Sequence, residues 1–123
     1  MIIANGVFSG RGGHILTGSF SIGTTEQGLM LTTSHDFFFD GSADPGWVLA
    51  KQVPANSADP SASEAAKTSS LPHLGDSLGF PYPEVTGRQT TLIPSSLNIE
   101  DYCTLFLWCH KSQFLLGVGP FKA

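Results

Sequence analysis

Charged side chains are scarce in this chain of 123 residues, at 13% against about 25% in an ordinary globular domain. Helical proteins usually cover their surfaces with glutamate and lysine, so this scarcity favours β structure. Basic residues are fewer than acidic ones. The chain has six lysine and arginine residues and ten acidic residues, so its formal net charge is -4. We therefore expect no nucleic acid and no anionic membrane surface as a partner, since both require a basic patch.

Long apolar runs are also missing. The longest are a few residues, well short of the ~20 that span a bilayer, and the first residues lack the basic start of a secretory signal. We therefore expect no membrane span, and a protein that is either cytoplasmic or exported with its leader removed. Hydrophobic residues nevertheless make up 41% of the chain. That content is typical of one folded domain over residues 1–123 and not of a disordered chain.

Short apolar segments separated by turn residues dominate the pattern. Glycine, aspartate and proline stand between them, as in Asp44-Pro45-Gly46, and strands do not alternate with long helices. This spacing predicts an all-β fold, an antiparallel β-sandwich or a partly closed barrel of seven to eight short strands. The segments are residues 7–9, 17–23, 29–33, 37–39, 47–50, 90–93, 103–109 and 114–118.

Residues 52–86 have a different composition, rich in proline, alanine and serine. Ser61 and Glu64 have the spacing of a capping box, so we expect one or two helical turns there. A connection of this length is usually functional or mobile. It is interpreted either as a tolerated surface insertion or as a lid or partner-binding loop whose contact point is residues 80–83.

The two cysteines, Cys103 and Cys109, lie six residues apart on one predicted strand. At ~3.3 Å per residue their Cα atoms would be about 20 Å apart, whereas a disulfide needs roughly 4.4 to 6.8 Å. We therefore expect two free thiols, on the face shared with Leu105 and Leu107. A buried free cysteine often serves as a small core hydrophobe, and this interpretation stays open for both residues.

Residues 87–121 contain an ordered pattern: a glycine and a glutamine before a short strand ending in proline, a tyrosine, an apolar strand ending in Trp-Cys, and a last strand with a glycine. These residues are Gly87, Gln89, Pro94, Tyr102, Trp108, Cys109 and Gly117. The pattern resembles the electron-transfer DM-thirteen domain family, which is DOMON-associated and Skeletor-like. The resemblance implies a β-sandwich that acts in a redox chain, with Cys109 as the active group.

Histidines and acids near the strand of Cys109 are further candidates. Copper and zinc sites combine thiolate with imidazole, and His14, His35 and His110 lie on flanking segments. Cys109 with His14 or His35 is the set expected to hold copper or a similar metal. His110 follows Cys109 directly and points to the opposite face of a regular strand. Three acids could orient such an imidazole or simply stabilise turns: Asp36, Asp40 and Asp44.

Three classes of function remain open. The first is a redox or electron-transfer module that acts through Cys109, beside Trp108, on a redox partner, with or without a bound metal or cofactor. The second is a non-catalytic binding domain, a common use of a small β-sandwich, because fold alone says little about function. The third is a small enzyme, redox or metal-dependent, with a pocket for a small-molecule ligand beside Cys109.

Overall fold

Strands dominate the computed structural model of the protein, which describes residues 1–73 and 83–123. All strand pairs in these ranges are antiparallel. One α-helix, α1 (Pro60–Thr68), and one 3-10 turn (Ile99–Asp101) accompany them there. The strands are β1 (Ile2–Val7), β2 (Ser9–Gly10), β3 (Leu16–Thr17), β4 (Ser19–Thr25), β5 (Gly28–Thr33), β6 (Phe38–Phe39), β7 (Pro45–Ala50), β8 (Ser70–His73), β9 (Val85–Thr86), β10 (Thr90–Leu92), β11 (Thr104–Cys109) and β12 (Phe114–Pro120).

The strands form three sheets. Their orders are β1-β4-β5-β10, β2-β12-β11-β7-β8 and β3-β6-β9. The two larger sheets share one hydrophobic core, and the described strands do not close into a barrel. The predicted all-β antiparallel sandwich is thereby confirmed in preference to the barrel. The described residues contain twelve strands, more than the seven to eight predicted; eight of them have three or more residues and four have two.

The middle of the five-stranded sheet is buried on both faces. β7 and β11 are buried along their whole length, and their sequences are correspondingly continuous apolar runs. Alternate residues enter two separate clusters. Trp47, Leu107 and Cys109 face the four-stranded sheet, whereas Phe106 and Trp108 lie in the cluster that includes α1. Strands therefore cover one face of this sheet and the helix covers the other.

Helix α1 is capped by Asp59, so the predicted capping box is wrong. The Asp59 carboxylate accepts a hydrogen bond from the backbone N–H of Ser61 at 2.9 Å, and Pro60 occupies the start of the helix. Ser61 and Glu64 therefore lie inside the helix. Asp59 takes the cap because the fixed φ of proline suits the first helical position, which places the preceding residue at the cap.

The segment rich in proline contributes to the sandwich. Ala62 of α1 is fully buried against the sheet, in the cluster that contains Phe106. β8 pairs with β7 and forms one edge of the five-stranded sheet. Residues 80–82 of the expected contact point lie outside the described residues. No helix within the described ranges is long and apolar enough to cross a membrane.

Gly117 of β12 has no room for a side chain. An added Cβ would overlap the Leu16 side chain and lie 2.9 Å from the Ser9 carbonyl oxygen. We expect Gly117→Ala to lower the free energy of unfolding by about 1–3 kcal/mol, the usual effect of overpacking a core. Urea denaturation measures this change. In a Leu16→Ala background the same substitution should cost less, because the side chain that it overlaps is gone. Equal costs in both backgrounds would contradict this packing.

The capping carboxylate of Asp59 has a lowered pKa because the backbone N–H groups of Ala55 and Ser61 donate to it. Such a carboxylate stabilises the fold above its unfolded-state pKa, and the contribution is lost as pH falls through the folded-state value. We expect Asp59→Ala to melt below wild type at pH 7. The difference should shrink as pH falls below the ordinary carboxyl pKa of 3.8. Asp59→Asn is the control, because asparagine keeps an acceptor oxygen but does not titrate. Its melting temperature should fall less below wild type than that of Asp59→Ala. A deficit independent of pH would contradict this account.

Candidate functional site

Cys109 is the last residue of β11, at the point where a buried strand reaches a turn. It pairs with Pro45 of β7 on one side and Phe114 of β12 on the other. The backbone N–H of Gln113 donates to the Cys109 carbonyl at 2.8 Å, and Gln113 has a φ of 55°. The turn from β11 to β12 therefore bends sharply around the cysteine, which is 2% exposed.

The sulfur of Cys109 makes two hydrogen bonds. Its Sγ donates to the carbonyl oxygen of Ala43 at 2.9 Å, and the backbone N–H of Ser112 donates to it at 3.4 Å. Ala43 belongs to the segment between β6 and β7, and Ser112 belongs to the turn after β11. In the bond to Ala43 the sulfur is the donor, because a carbonyl oxygen can only accept. Two separate segments fix the position of the sulfur.

His14 and Asp40 form a hydrogen-bonded pair. The imidazole Nδ1 lies 2.9 Å from the Asp40 carboxylate oxygen Oδ1, and both side chains are about one quarter exposed. Pairing of β3 with β6 brings the two together, since His14 precedes β3 and Asp40 follows β6. A proton on Nδ1 would donate to the carboxylate and leave Nε2 as the acceptor nitrogen of the ring.

One pocket joins the thiol and the imidazole. Its volume is about 290 Å³. The wall includes Cys109 and His14, and the ring of Phe114 lies 6.2 Å from the imidazole centre. Cys109 and His14 therefore line the same pocket. The lining residues are Gly12, His14, Ser42, Cys109, Ser112, Phe114 and Leu116.

Other predicted candidates are not among the residues that line this pocket. His35 and Asp36 are exposed in the turn after β5. A hydrogen bond from Ser34 to Asp36 lowers the pKa of that carboxyl. His110 starts the turn after β11, and its backbone N–H donates to the Asp44 carbonyl at 3.1 Å. Among the predicted acids, Asp40 is hydrogen-bonded to the candidate imidazole of His14.

Trp108 and Cys103 also lie outside the pocket. Trp108 is 1% exposed and packs edge-on against Phe106, on the helix-facing side of the sheet. Cys103 lies just before β11, is half-buried, and has its sulfur 3.6 Å from the Thr104 hydroxyl. Both cysteines are free, as predicted from their separation. Neither Trp108 nor Cys103 therefore lines the pocket beside Cys109.

A metal site of the expected kind is not assembled in the described residues. Within residues 1–73 and 83–123 no group of three or more histidine, cysteine, aspartate and glutamate residues could hold a metal ion. Structural zinc sites use four protein ligands, and blue-copper sites combine two histidines with a cysteine. The pocket offers one thiol and one imidazole, fewer protein ligands than either of those sites uses.

Sequence reasoning named Asp40 among three acids that could orient an imidazole, but it did not single out the pairing with His14. It missed the other residues that line the pocket: Gly12, Ser42, Ser112, Phe114 and Leu116. The pairing depends on two strands of two residues each, β3 and β6, which carry no periodic signal. Comparison with protein-family models, with curated proteins and with solved structures gives no match to this chain. The likeness of residues 87–121 to the DM-thirteen family therefore stays a prediction from the sequence.

The two thiols should differ in accessibility to a bulky reagent. Cys103 is half-buried, whereas Cys109 is 2% exposed. Ellman titration of denatured, unreduced protein should detect both as free thiols. In native protein Cys103 should react first, and Cys103→Ala should remove that fast phase. Rapid reaction of Cys109 with the aromatic disulfide, before unfolding, would contradict its burial.

Proposed function

We propose that this protein is a thiol-based redox module in which Cys109 is the reactive group. The observation that carries the proposal is the shared pocket, whose lining includes both Cys109 and His14. Asp40 holds that imidazole through Nδ1. A nucleophile, a base and a carboxylate that orients the base are the groups needed to activate a thiol.

Activation begins with the proton that Cys109 donates to Ala43. The thiolate, not the thiol, is the nucleophile, so this proton must leave the sulfur. His14 Nε2 is the acceptor on the pocket wall when Nδ1 donates to Asp40. The carboxylate then stabilises the imidazolium that forms, and the Ser112 N–H remains as a donor to the sulfur.

The size of the pocket favours a small oxidant. Its volume of about 290 Å³ is at the lower limit of ordinary ligand pockets, roughly 300–1,000 Å³. A hydroperoxide is small enough for a pocket of this volume.

In the proposed reaction the Cys109 thiolate attacks the terminal oxygen of the hydroperoxide, an S–O bond forms and the O–O bond breaks. The departing alkoxide or hydroxide takes the proton from His14, which leaves a sulfenic acid on Cys109 and releases an alcohol or water. Sulfur loses two electrons and the peroxide gains them.

The resemblance to the DM-thirteen domain supports the same assignment, because that family's pattern places the active cysteine at Cys109. A non-catalytic binding domain is the second candidate. It is favoured by the membership of Cys109 in the main hydrophobic cluster, where a free cysteine can act simply as core packing. Reactivity of the thiol distinguishes the two.

Peroxide treatment should convert Cys109 to a sulfenic acid that a dimedone-type probe labels in the native protein. Peptide mass spectrometry locates the label. His14→Gln should slow labelling by about 100-fold, the low end of what general base catalysis contributes. Asp40→Asn should shift the pH profile of labelling, because it changes the partner that orients the imidazole. Cys103→Ala is the matched control and should label at the wild-type rate.

Two results would contradict the redox assignment. The first is an absence of label on Cys109 in protein whose melting temperature shows it to be folded. The second is equal labelling of wild type and His14→Gln at all pH values. In either case the binding domain becomes the better description, with Cys109 as a packing residue.

A further inference from the structure

Reduction of oxidised Cys109 is the step that the chain cannot complete with its own thiols, provided that the proposed redox function holds. The sequence has two cysteines. Cys103 lies at the opposite end of β11 from Cys109. Six residues of extended strand separate their Cα atoms by about 20 Å. A disulfide between them is excluded by this distance, so the thiol that reduces Cys109 must come from outside these 123 residues.

Burial restricts this second molecule. Cys109 is 2% exposed, and its pocket holds about 290 Å³. The thiol of a folded partner protein would have to enter this pocket together with its backbone. A low-molecular-weight thiol can present its sulfur on a short, flexible arm, and therefore fits the access to Cys109 better.

A second pocket adjoins the first and contains a positive charge. Its volume is about 500 Å³, and it shares Gly12 and Phe114 with the Cys109 pocket. The Phe114 ring lies directly on Gly12, because a Cβ added there would overlap the ring. The divider between the two pockets is thus one aromatic ring lying on a glycine. The residues that line the second pocket are Arg11, Gly12, Ala55, Asn56, Ser57, Ala58, Phe114 and Leu115.

Arg11 is positioned for an anion in this second pocket. Its Nη1 donates to the Ser9 hydroxyl at 3.0 Å and to the Gly10 carbonyl at 3.1 Å. Within the described part of the chain no carboxylate forms an ion pair with Arg11. The guanidinium presents five N–H donors in a fork that matches a carboxylate. Its location is therefore fixed while most of its donors remain for a ligand.

We propose that the reductant of oxidised Cys109 is a low-molecular-weight thiol that carries a carboxylate. Its sulfur enters the pocket of Cys109 and His14, and its carboxylate binds Arg11 in the adjoining pocket. The two pockets together give one small molecule a place for its reactive group and a place for its charge.

The chemistry balances with two molecules of this thiol. The first attacks the Cys109 sulfenic acid, an S–S bond forms, the S–O bond breaks, and hydroxide leaves as water with the proton of the attacking thiol. The second attacks the mixed disulfide, forms a small-molecule disulfide and returns the Cys109 thiolate, which regains a proton. In total, two thiols lose two electrons and Cys109 returns to its resting state.

Three small thiols of different charge test the proposal: 3-mercaptopropionate, 2-mercaptoethanol and cysteamine. Full-length Cys103→Ala protein is oxidised with one equivalent of hydrogen peroxide, and sulfenic acid is verified by the dimedone-type probe. Each thiol is then added, and intact mass follows the mixed disulfide on Cys109. For each thiol, the rate measured with the Cys103→Ala protein is divided by the rate measured with the Cys103→Ala/Arg11→Gln double variant. In this ratio the intrinsic differences in reactivity among the thiols cancel.

The ratio should be about three- to fivefold for the anionic thiol, the size of one exposed ion pair, and close to one for the neutral thiol. Arg11→Lys keeps the charge and should retain most of this preference. Arg88→Gln removes an exposed arginine that lines neither of the two pockets and should change none of the rates. Equal ratios for all three thiols would overturn the carboxylate proposal and leave the redox function standing. Failure to form the sulfenic acid, seen before any thiol is added, would overturn both.

Discussion

Burial of β7 and β11 on both faces is the constraint on which the rest of the structure depends. Two adjacent strands without a solvent face need two separate covers. The four-stranded sheet supplies one through Phe20, Ile22 and Leu31, and α1 supplies the other through Ala62. Removing either cover would expose apolar side chains that are now inaccessible, and apolar burial is the main favourable term in folding. The helix therefore contributes to the hydrophobic core of the domain.

The same constraint explains where chemistry can occur. Within β11 every side chain is enclosed, so a reactive group on that strand can meet a ligand only where the strand ends. Cys109 occupies that end, and the turn that follows opens a pocket beside it. The other wall comes from distant segments, with His14 and Asp40 joined across the short β3–β6 pair. Cys109 thus lies at the end of a buried strand, and surface segments bring His14, with its partner Asp40, to the wall of the same pocket.

The sequence predicted the parts of this arrangement that depend on local pattern. Continuous apolar runs located β7, β11 and β12, and the spacing of Cys103 from Cys109 correctly excluded a disulfide. β1 was predicted only at its last residue, because Asn5 and Gly6 interrupt its apolar character. The cap of α1 was misplaced because Ser61 and Glu64 match the spacing of a capping box, whereas Pro60 suits the first helical position and puts the cap at Asp59. The pairing of His14 with Asp40 depends on contacts 26 residues apart in sequence, which no local periodicity records.

Separation of the core into two clusters places the two tryptophans in different surroundings. Trp47 stacks on Phe8 with ring centres 5.1 Å apart, in the cluster between the sheets that also contains Cys109. Trp108 lies beneath α1 in the other cluster. Each indole is thus an intrinsic fluorophore for one layer. With phenylalanine at one or the other position, emission during unfolding would show whether the helix leaves the sheet before the sheets part, or whether both layers open in a single step.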